Sequence, residues 1–595
     1  MNGALASITT RAGVVTTVIH NYLFRVSRVH NAFGHDLEFF YDAQNRLNRV
    51  RDPANGDIQY AYDASGRLEY VTYPDSTQKR YHYEHAIPHL LTGITDESGV
   101  RFATYQYDSQ GRATVTEHAG GANRYEFSYT GSSAPYTTTV EDPLGTSRMY
   151  TFGNVNNVYK LQSISGPSCS HCGSAQQSLY DANGNVSQRA DFAGNVTTYV
   201  FGSPRNLESS RTEAFGTPRA RTIGTLWHAT YRLPTQIDEP GRRTTFTHDA
   251  AGNVLTRTVL DTASSESRIW TYTYNAFGRV LTENGPRTDA TDVTTTTYYT
   301  CTTGTQCGQV NTTTNALGHV TTYNTYNAHG QPLTITDPNG VVTTLTYDAR
   351  QRLKTRTVGG EQTVFDYWPT GLLKKATLPD SSFLQYSYDA AHRLTGISDS
   401  EGNRVSYALD AMGNRTSEQV FDPSNALTRT RTRVFNTLNQ LAQEIGAAGT
   451  PAVTTTFGYD NNGNQTSINA PLGRNTAQSY DELDRLTQVT DPLNGVTQYG
   501  YNALDQLISV TDPRNKVTNY AFNALGDLKV QTSPDTGVTT NTYDSGGNLK
   551  TSNDARNKTG TYGYDALNRV TSLAFTDQTI TYTYDGGTNQ KGRLT

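Results

Sequence analysis

An aromatic residue followed by an acidic or amide residue returns along this chain at a fixed step of 21: Tyr459-Asp460, Tyr480-Asp481, Tyr501-Asn502, Phe522-Asn523, Tyr543-Asp544 and Tyr564-Asp565. The beat runs upstream through Tyr326, Tyr347-Asp348, Tyr367, Tyr388-Asp389 and Leu409 at steps of 21, 20, 21 and 21, and it appears again at Tyr41-Asp42 and Tyr62-Asp63. Self-similarity at such a period predicts stacked repeats in which each unit contacts mainly its neighbours. The 595 residues are therefore one quasi-linear object, and length is no guide to a count of globular domains.

One repeat is legible at Leu486–Tyr501: Leu-Thr-Gln-Val-Thr, then Asp-Pro-Leu-Asn-Gly, then Val-Thr-Gln-Tyr-Gly-Tyr, followed by Asn502-Ala-Leu-Asp-Gln before Leu507. This predicts two short strands joined by two different turns. In the first, Pro492 presets φ and the Asp491 carboxylate can bond to backbone two residues on. In the second, Gly66, Gly184, Gly252, Gly278 and Gly526 occupy a position that calls for positive φ, with Asn568 and Asp505 as substitutes. Arg569, in such a turn, is expected to be replaceable at little cost. Tyrosines two apart (Tyr60 and Tyr62, Tyr272 and Tyr274, Tyr386 and Tyr388, Tyr562 and Tyr564) fall on one face of a strand. They predict tyrosine ladders from strand to strand.

With two strands per repeat, the ribbon has more strands than an open twisted sheet tolerates, so it should curl or spiral and close around a lumen. The expected fold class is all-β: a large spiralling shell of antiparallel β-hairpin repeats with a hollow interior. Residues 1–595 read as a single shell segment, with regular to semi-regular repeats over 1–106, degenerate repeats with longer loops over 107–325, and regular repeats over 326–595. The chain starts and stops inside a repeat, which predicts a piece of something longer.

Composition supports strands and turns: 35% of residues are hydrophobic, and 39 tyrosines stand against 19 phenylalanines and 3 tryptophans. A net charge of −5 without any Lys/Arg block gives no sign of a nucleic-acid partner. No apolar stretch approaches the ~20 residues that span a bilayer, so membrane insertion by this segment is not expected. Met1–Arg11 lacks the basic region and apolar core of a signal peptide.

Few residues point to chemistry. His82, Glu84, His85 and His89 are zinc-type ligands, but Pro88 marks a loop and the spacing is not that of a metalloprotease helix, which favours polar strand-end residues. Cys169 with Cys172 and Cys301 with Cys307 form two local pairs, open to disulfides, to reduced thiols or to a shared metal. The aspartates are explained by their places in turns. The pairs Tyr41-Asp42, Tyr62-Asp63, Tyr347-Asp348, Tyr388-Asp389, Tyr480-Asp481, Tyr543-Asp544 and Tyr564-Asp565, together with Tyr501, are structural repeat positions. No nucleophile elbow, P-loop, zincin or dinucleotide-binding pattern occurs, and no enzyme activity, catalytic residue, metal or cofactor is expected.

The Tyr-Asp-Ala-x-Gly-Arg-Leu and Thr-Asp-Pro-x-Gly motifs, with Tyr388-Asp-Ala-Ala-His-Arg-Leu394, make the chain resemble the RHS or YD-repeat family over nearly its full length. The resemblance implies a spiralling β-shell, as in bacterial polymorphic toxins, insecticidal toxin-complex subunits and teneurin adhesion receptors. It looks most like the bacterial branch, whose shell typically ends in an Arg-Tyr-Tyr-Asp-Pro-x-x-Gly-Arg-Phe type segment with aspartyl self-cleavage releasing a C-terminal toxin. That segment does not occur in this sequence, so no family catalytic residue is carried over. The implied function is a non-catalytic shell that encloses and helps deliver an effector: its own C-terminal domain or a separately encoded toxin cargo. Secretion-system or surface components would be further partners, and the intact protein would be secreted or at the cell surface. The alternatives are a surface adhesion or carbohydrate-binding repeat protein, to which Tyr, Thr and Asn side chains lend themselves, and an inactive truncated remnant.

Overall fold

The computed structural model describes residues 3–130, 136–168, 175–202, 204–301, 303–446 and 453–595. They form 52 strands, from Ser7–Thr9 to Thr579–Thr581, with no α-helix among the described residues and two short 3₁₀ turns at Ala119–Gly121 and Pro471–Gly473. Each strand pairs antiparallel with its neighbours in the chain, so the molecule is one continuous ribbon of hairpins in a single sheet.

The ribbon has two edges, and both use the same turn. In Asp63-Ala-Ser-Gly-Arg67 the Asp63 N–H donates to the Arg67 carbonyl at 2.9 Å and the Gly66 N–H to the Asp63 carbonyl at 2.9 Å. Asp63 Oδ1 accepts the Ser65 and Arg67 N–H groups, each at 2.9 Å. On the other edge Asp491 repeats the pattern: its N–H reaches the Gly495 carbonyl at 2.8 Å, and its Oδ1 accepts the Leu493 and Gly495 N–H groups at 2.8 Å. The two turns read as different in sequence are one geometry, a type I turn closed by a left-handed residue. That residue is Gly66 (φ 79), Asn568 (φ 62) or Asp505 (φ 61) on the first edge, and Asn494 (φ 63) on the second. Gly495 serves a different need, since a Cβ there would lie 2.5 Å from the Asp491 carboxylate.

Gly526 isolates the backbone term, because it has φ +95 and an added Cβ would meet nothing within 4 Å. Gly526→Ala should cost roughly 1 kcal/mol through left-handed strain alone, and Asn45→Gly, at φ 60, should be near neutral, relief of that strain offsetting the extra freedom of the unfolded glycine. Local hydrogen exchange in the two turns checks the pair; a neutral Gly526→Ala would remove the strain argument.

What distinguishes the edges is a β-bulge at the tyrosine edge. Tyr62 follows Ala61↔Tyr70 pairing with Tyr62↔Leu68, Tyr501 follows Gly500↔Ser509 with Tyr501↔Leu507, and Tyr564 follows Gly563↔Ser572 with Tyr564↔Val570. An extra residue repeated mainly along one edge bends and twists the ribbon toward one side. The stretch 107–325, degenerate in sequence, carries the same device at Phe152, Phe201, Trp227 and His248, where the tyrosine is replaced and the spacing is wider.

The bent ribbon coils on itself. Residues 220 to 296 positions apart in sequence meet across a seam, from Arg11 with Tyr231 to His392 with Asp96. The contacts have one polarity: the Asp-Pro edge of one coil lies against the tyrosine edge of the next. Asp52 of the first coil faces His329 of the second, and His319 of the second faces Asp585 of a third. A compact monomer of this mass would expose about 20,600 Å², whereas this chain of 65.3 kDa exposes 31880 Å². A wall with two accessible faces accounts for the excess, and the structure is a spiralling hollow shell.

Candidate functional site: the shell wall and its seam

The wall is held by a unit that links each tyrosine-edge turn to the next. Arg485 Nε donates to Asp481 Oδ2 at 2.9 Å, its Nη1 reaches the Asn502 carbonyl of the following turn at 2.8 Å, and its guanidinium lies 5.0 Å over the Tyr501 ring. Tyr501 in turn donates its hydroxyl to the Leu486 carbonyl at 2.9 Å. Burial pushes the Asp481 carboxyl up, but hydrogen bonds from the Arg485 side chain and backbone outweigh it and hold the pKa below its ordinary value. Burial raises the Tyr501 hydroxyl.

The same stacking recurs for Arg46 over Tyr62, Arg67 over Tyr83, Arg352 over Tyr367 and Arg569 over Tyr584, at 4.3–4.9 Å. Tyr41, Tyr62, Tyr347, Tyr480, Tyr543 and Tyr564 donate to the carbonyls of Val26, Leu47, Pro332, Gln465, Leu528 and Leu549 at 2.7–3.1 Å. Asp42, Asp348, Asp389 and Asp565 accept from the arginine four residues on at 2.6–2.8 Å, and Asp544 accepts from Asn548 at 2.9 Å. Tyr388 holds the bulge position next to Leu394.

Two sequence-based expectations need correction. The repeat tyrosines do not form a tyrosine ladder: Tyr60 faces Val71, Tyr386 faces Ile397 and Tyr562 faces Leu573. A Tyr-x-Tyr strand alternates with an aliphatic one, so like tyrosines recur two strands apart, about 9.6 Å and beyond ring contact. Arg569 is also no idle turn residue. It bonds Asp565 and Asp585, each at 2.6 Å, and holds the Asp585 carboxyl down at about 2. The fixed offset between an arginine and the next tyrosine, as in Arg46 to Tyr62 or Arg485 to Tyr501, is the signal from which this link could have been read.

The seam carries the most deeply buried polar groups. Asp96, Asp261, Arg287, Asn523 and Asp527 are buried, and all lie along it. Arg268 pairs with Asp527 at 2.7 Å, Arg350 with Glu97 at 3.2 Å and Arg221 with Asp505 at 2.6 Å, and the Ala524 N–H donates to Asp261 Oδ2 at 2.7 Å. Such groups leave water only if satisfied, so the seam is specific for this pairing of edges. A cleft of about 590 Å³ opens along it, lined by Arg211, Glu213, Arg221, Asn462 and Asp484 among others. Within it Arg211 pairs with Glu208 and Glu213, and Arg221 with Glu213.

His82 Nδ1 lies 3.7 Å from Glu84, but the four residues His82, Glu84, His85 and His89 do not converge on one point. His82 Nε2 lies 2.8 Å from Thr95 Oγ1, Glu84 pairs with Arg101 at 2.9 Å, His85 Nδ1 accepts the Ile87 N–H, and His89 sits at φ 75. Among the described residues no group of three or more His, Cys, Asp and Glu side chains is placed to hold a metal. Cys301 and Cys307 are joined, with sulfurs 2.09 Å apart, in a loop on the tyrosine edge. Cys169 and Cys172 lie outside the described residues. No helix among the described residues is long and apolar enough to cross a membrane.

A coiled, seam-closed ribbon of bulged hairpins defines a β-shell repeat protein. The RHS-repeat family model matches residues 41–78, 326–363, 367–404, 388–424, 480–517 and 501–539, and over these stretches the chain carries RHS repeats. Among curated proteins no sequence match is found. The fold is similar to that of the crystal structure of TcdB2-TccC3-Cdc42, with a TM-score of 0.55, 14% identity, and coverage of 97% of this chain and 34% of that one. The crystal structure of TcdB2-TccC3 without its hypervariable C-terminal region aligns over 96% of this chain and 34% of that one, at 13% identity and a TM-score of 0.41. The chain thus spans about a third of the length of these similar structures.

Proposed function

We propose that this chain is a non-catalytic wall segment of a toxin-associated RHS shell, enclosing and helping to deliver an effector that is either the C-terminal part of the same polypeptide or a separately encoded cargo. The observation that carries the reading is the seam. A single sheet whose successive coils meet edge to edge, with buried ion pairs closing the join, supports a wall that would separate an interior from solvent and from proteases by steric means. The fold likeness to a chain of the TcdB2-TccC3 complex supports the toxin association. Delivery would bring in secretion-system or surface components as partners and place the intact protein outside the producing cell.

The test is to express this chain in the context of its genomic downstream sequence and challenge the purified product with protease. The reading expects the downstream segment to survive digestion while the seam is intact, and to become cleavable when seam arginines are replaced. A downstream segment digested at the same rate with intact and disrupted seams would overturn it.

One observation favours a second reading, binding of sugars at a surface. Consecutive hairpins present exposed threonine pairs, Thr247–Thr256, Thr273–Thr282, Thr297–Thr312, Thr325–Thr334 and Thr346–Thr355, at 2.6–2.7 Å. Their hydroxyls already bond one another, which weakens the case. Glycan-array binding lost on Thr→Val replacement along that row would favour this reading.

A further inference from the structure

One turn on the tyrosine edge departs from the repeat. In the regular turn two residues stand between the one that closes the hairpin and the left-handed one, as Ala64 and Ser65 do between Asp63 and Gly66. Between Tyr299 and Gly308 there are eight. The closure is otherwise the same: the Gly308 N–H donates to the Tyr299 carbonyl and the Tyr299 N–H to the Gln309 carbonyl, each at 2.9 Å, and Gly308 has φ 76. An excursion of that length is loose unless its ends are tied. The Cys301–Cys307 disulfide ties them, and its second half-cystine directly precedes Gly308.

Gly308 is where the neighbouring coil anchors. Phe33 lies in the Asp-Pro-edge turn 31–35 of the first coil, and a Cβ on Gly308 would come within 2.5 Å of its Cδ1, so the ring rests directly on the Gly308 backbone. The same ring meets Phe277 of the preceding tyrosine-edge turn edge-on, with centroids 5.1 Å apart, and the Arg279 guanidinium lies 4.4 Å over it. Phe33 is thus wedged between two turns of the second coil, and the disulfide sets one of them. Cys307 is fully buried and Cys301 half-buried, so the bond is reached from the Cys301 side.

We propose that the Cys301–Cys307 disulfide is a redox latch on the seam: oxidised, it fixes Gly308 as the seat of Phe33, and reduced, it lets that seat loosen so that the first and second coils part locally. The chemistry is thiol–disulfide exchange. A dithiol reductant attacks the Cys301 sulfur, Cys307 leaves as a thiolate and takes up a proton, and the reductant's second thiol then displaces Cys301. Two electrons and two protons pass to the pair, and the reductant ends as its own disulfide. Such a latch stays closed outside cells and opens in a reducing cytosol. It belongs to the wall and holds whatever the shell encloses.

Hydrogen exchange of the full chain with and without dithiothreitol tests this, with alkylation and mass spectrometry to score each cysteine. Reduction should speed exchange of the Tyr299, Gly308 and Gln309 amides and, across the seam, of the Asn31, Phe33 and His35 amides roughly tenfold, while 523–527 stay unchanged. Cys301→Ser with Cys307→Ser should exchange at the reduced rate under both conditions. Cys169→Ser with Cys172→Ser should leave the response intact, which separates the two cysteine pairs. Phe33→Ala should speed exchange in 31–35 without reductant and remove its further response, while Gly308 and Gln309 still respond. Free thiols at Cys301 and Cys307 in air-oxidised protein, or 31–35 amides that exchange at one rate whether the pair is bonded or fully reduced, would overturn the proposal.

Discussion

Replacing Arg268 with alanine should open the seam between the first and second coils around Asp527, at a local cost of about 3 kcal/mol. Arg268 donates to Asp527 at 2.7 Å and to the Leu525 carbonyl at 3.2 Å, and the two side chains are 12% and 7% exposed. Asp527 keeps one hydrogen bond, from Asn523 at 2.8 Å, but its charge is left buried without a countercharge. The penalty therefore comes from the unpaired carboxylate more than from the lost attraction. The double variant Arg268→Ala with Asp527→Ala should recover part of the loss. Arg556, 82% exposed beside Asp554, is the control: its alanine variant should change stability by less than about 0.5 kcal/mol. Hydrogen exchange is the measurement of choice, because a repeat ribbon opens locally rather than all at once. The amides of 261–268 and 523–527 should exchange roughly a hundredfold faster in the single variant. Equal exchange in the Arg268 and Arg556 variants would show that the seam is held by backbone shape and not by its buried pairs.

The repeat itself was legible because period and turn chemistry are local. An aspartate two and four residues before the N–H groups it caps, a left-handed residue at the fourth turn position and side chains alternating across a strand all lie within a few residues, and Gly66, Asn568 and Asp505 stand where that logic puts them. The coil is not local. Arg268 and Asp527 are 259 residues apart, and nothing in the sequence around either marks the other, because the coil length depends on the accumulated bend of many bulged hairpins. For the same reason the shell could be foreseen from strand number, but its seam could not. The candidate site suffered most: histidines and cysteines drew notice as chemical residue types, whereas the wall uses arginines and aspartates that local turn chemistry had already explained. Between 107 and 325 the tyrosine signal thins while the hairpin persists, since Phe152, Phe201, Trp227 and His248 fill a bulge position that takes a large side chain, even Leu409 elsewhere, and not a tyrosine as such.

Truncating Tyr562 and Tyr564 together to alanine should destabilise the C-terminal hairpins by roughly 3 kcal/mol or more. Tyr564 packs beside Val570 and donates its hydroxyl to the Leu549 carbonyl at 2.8 Å, and Tyr562 packs beside Leu573, so the pair bridges successive repeats. Arg569→Ala should cost less, about 1–2 kcal/mol, but it should carry a signature that the tyrosine variant lacks. The Arg569 hydrogen bonds, joined by the Gly592 N–H and the nearby His319, depress Asp585 from 3.8 to about 2. A carboxylate held down in the folded state stabilises it fully above its unfolded pKa, and that contribution fades as pH falls through the folded value. In the wild type, protection of amides in 565–585 should therefore decline between about pH 4 and pH 2. With Arg569 replaced, the largest share of this acid-sensitive part is gone, and the residual pH dependence over the same window should flatten. The tyrosine variant should instead lose protection by a similar factor at every pH. Parallel pH profiles for wild type and Arg569→Ala would mean that the Arg569–Asp585 contact adds nothing to the fold, and that the packed tyrosines alone join these repeats.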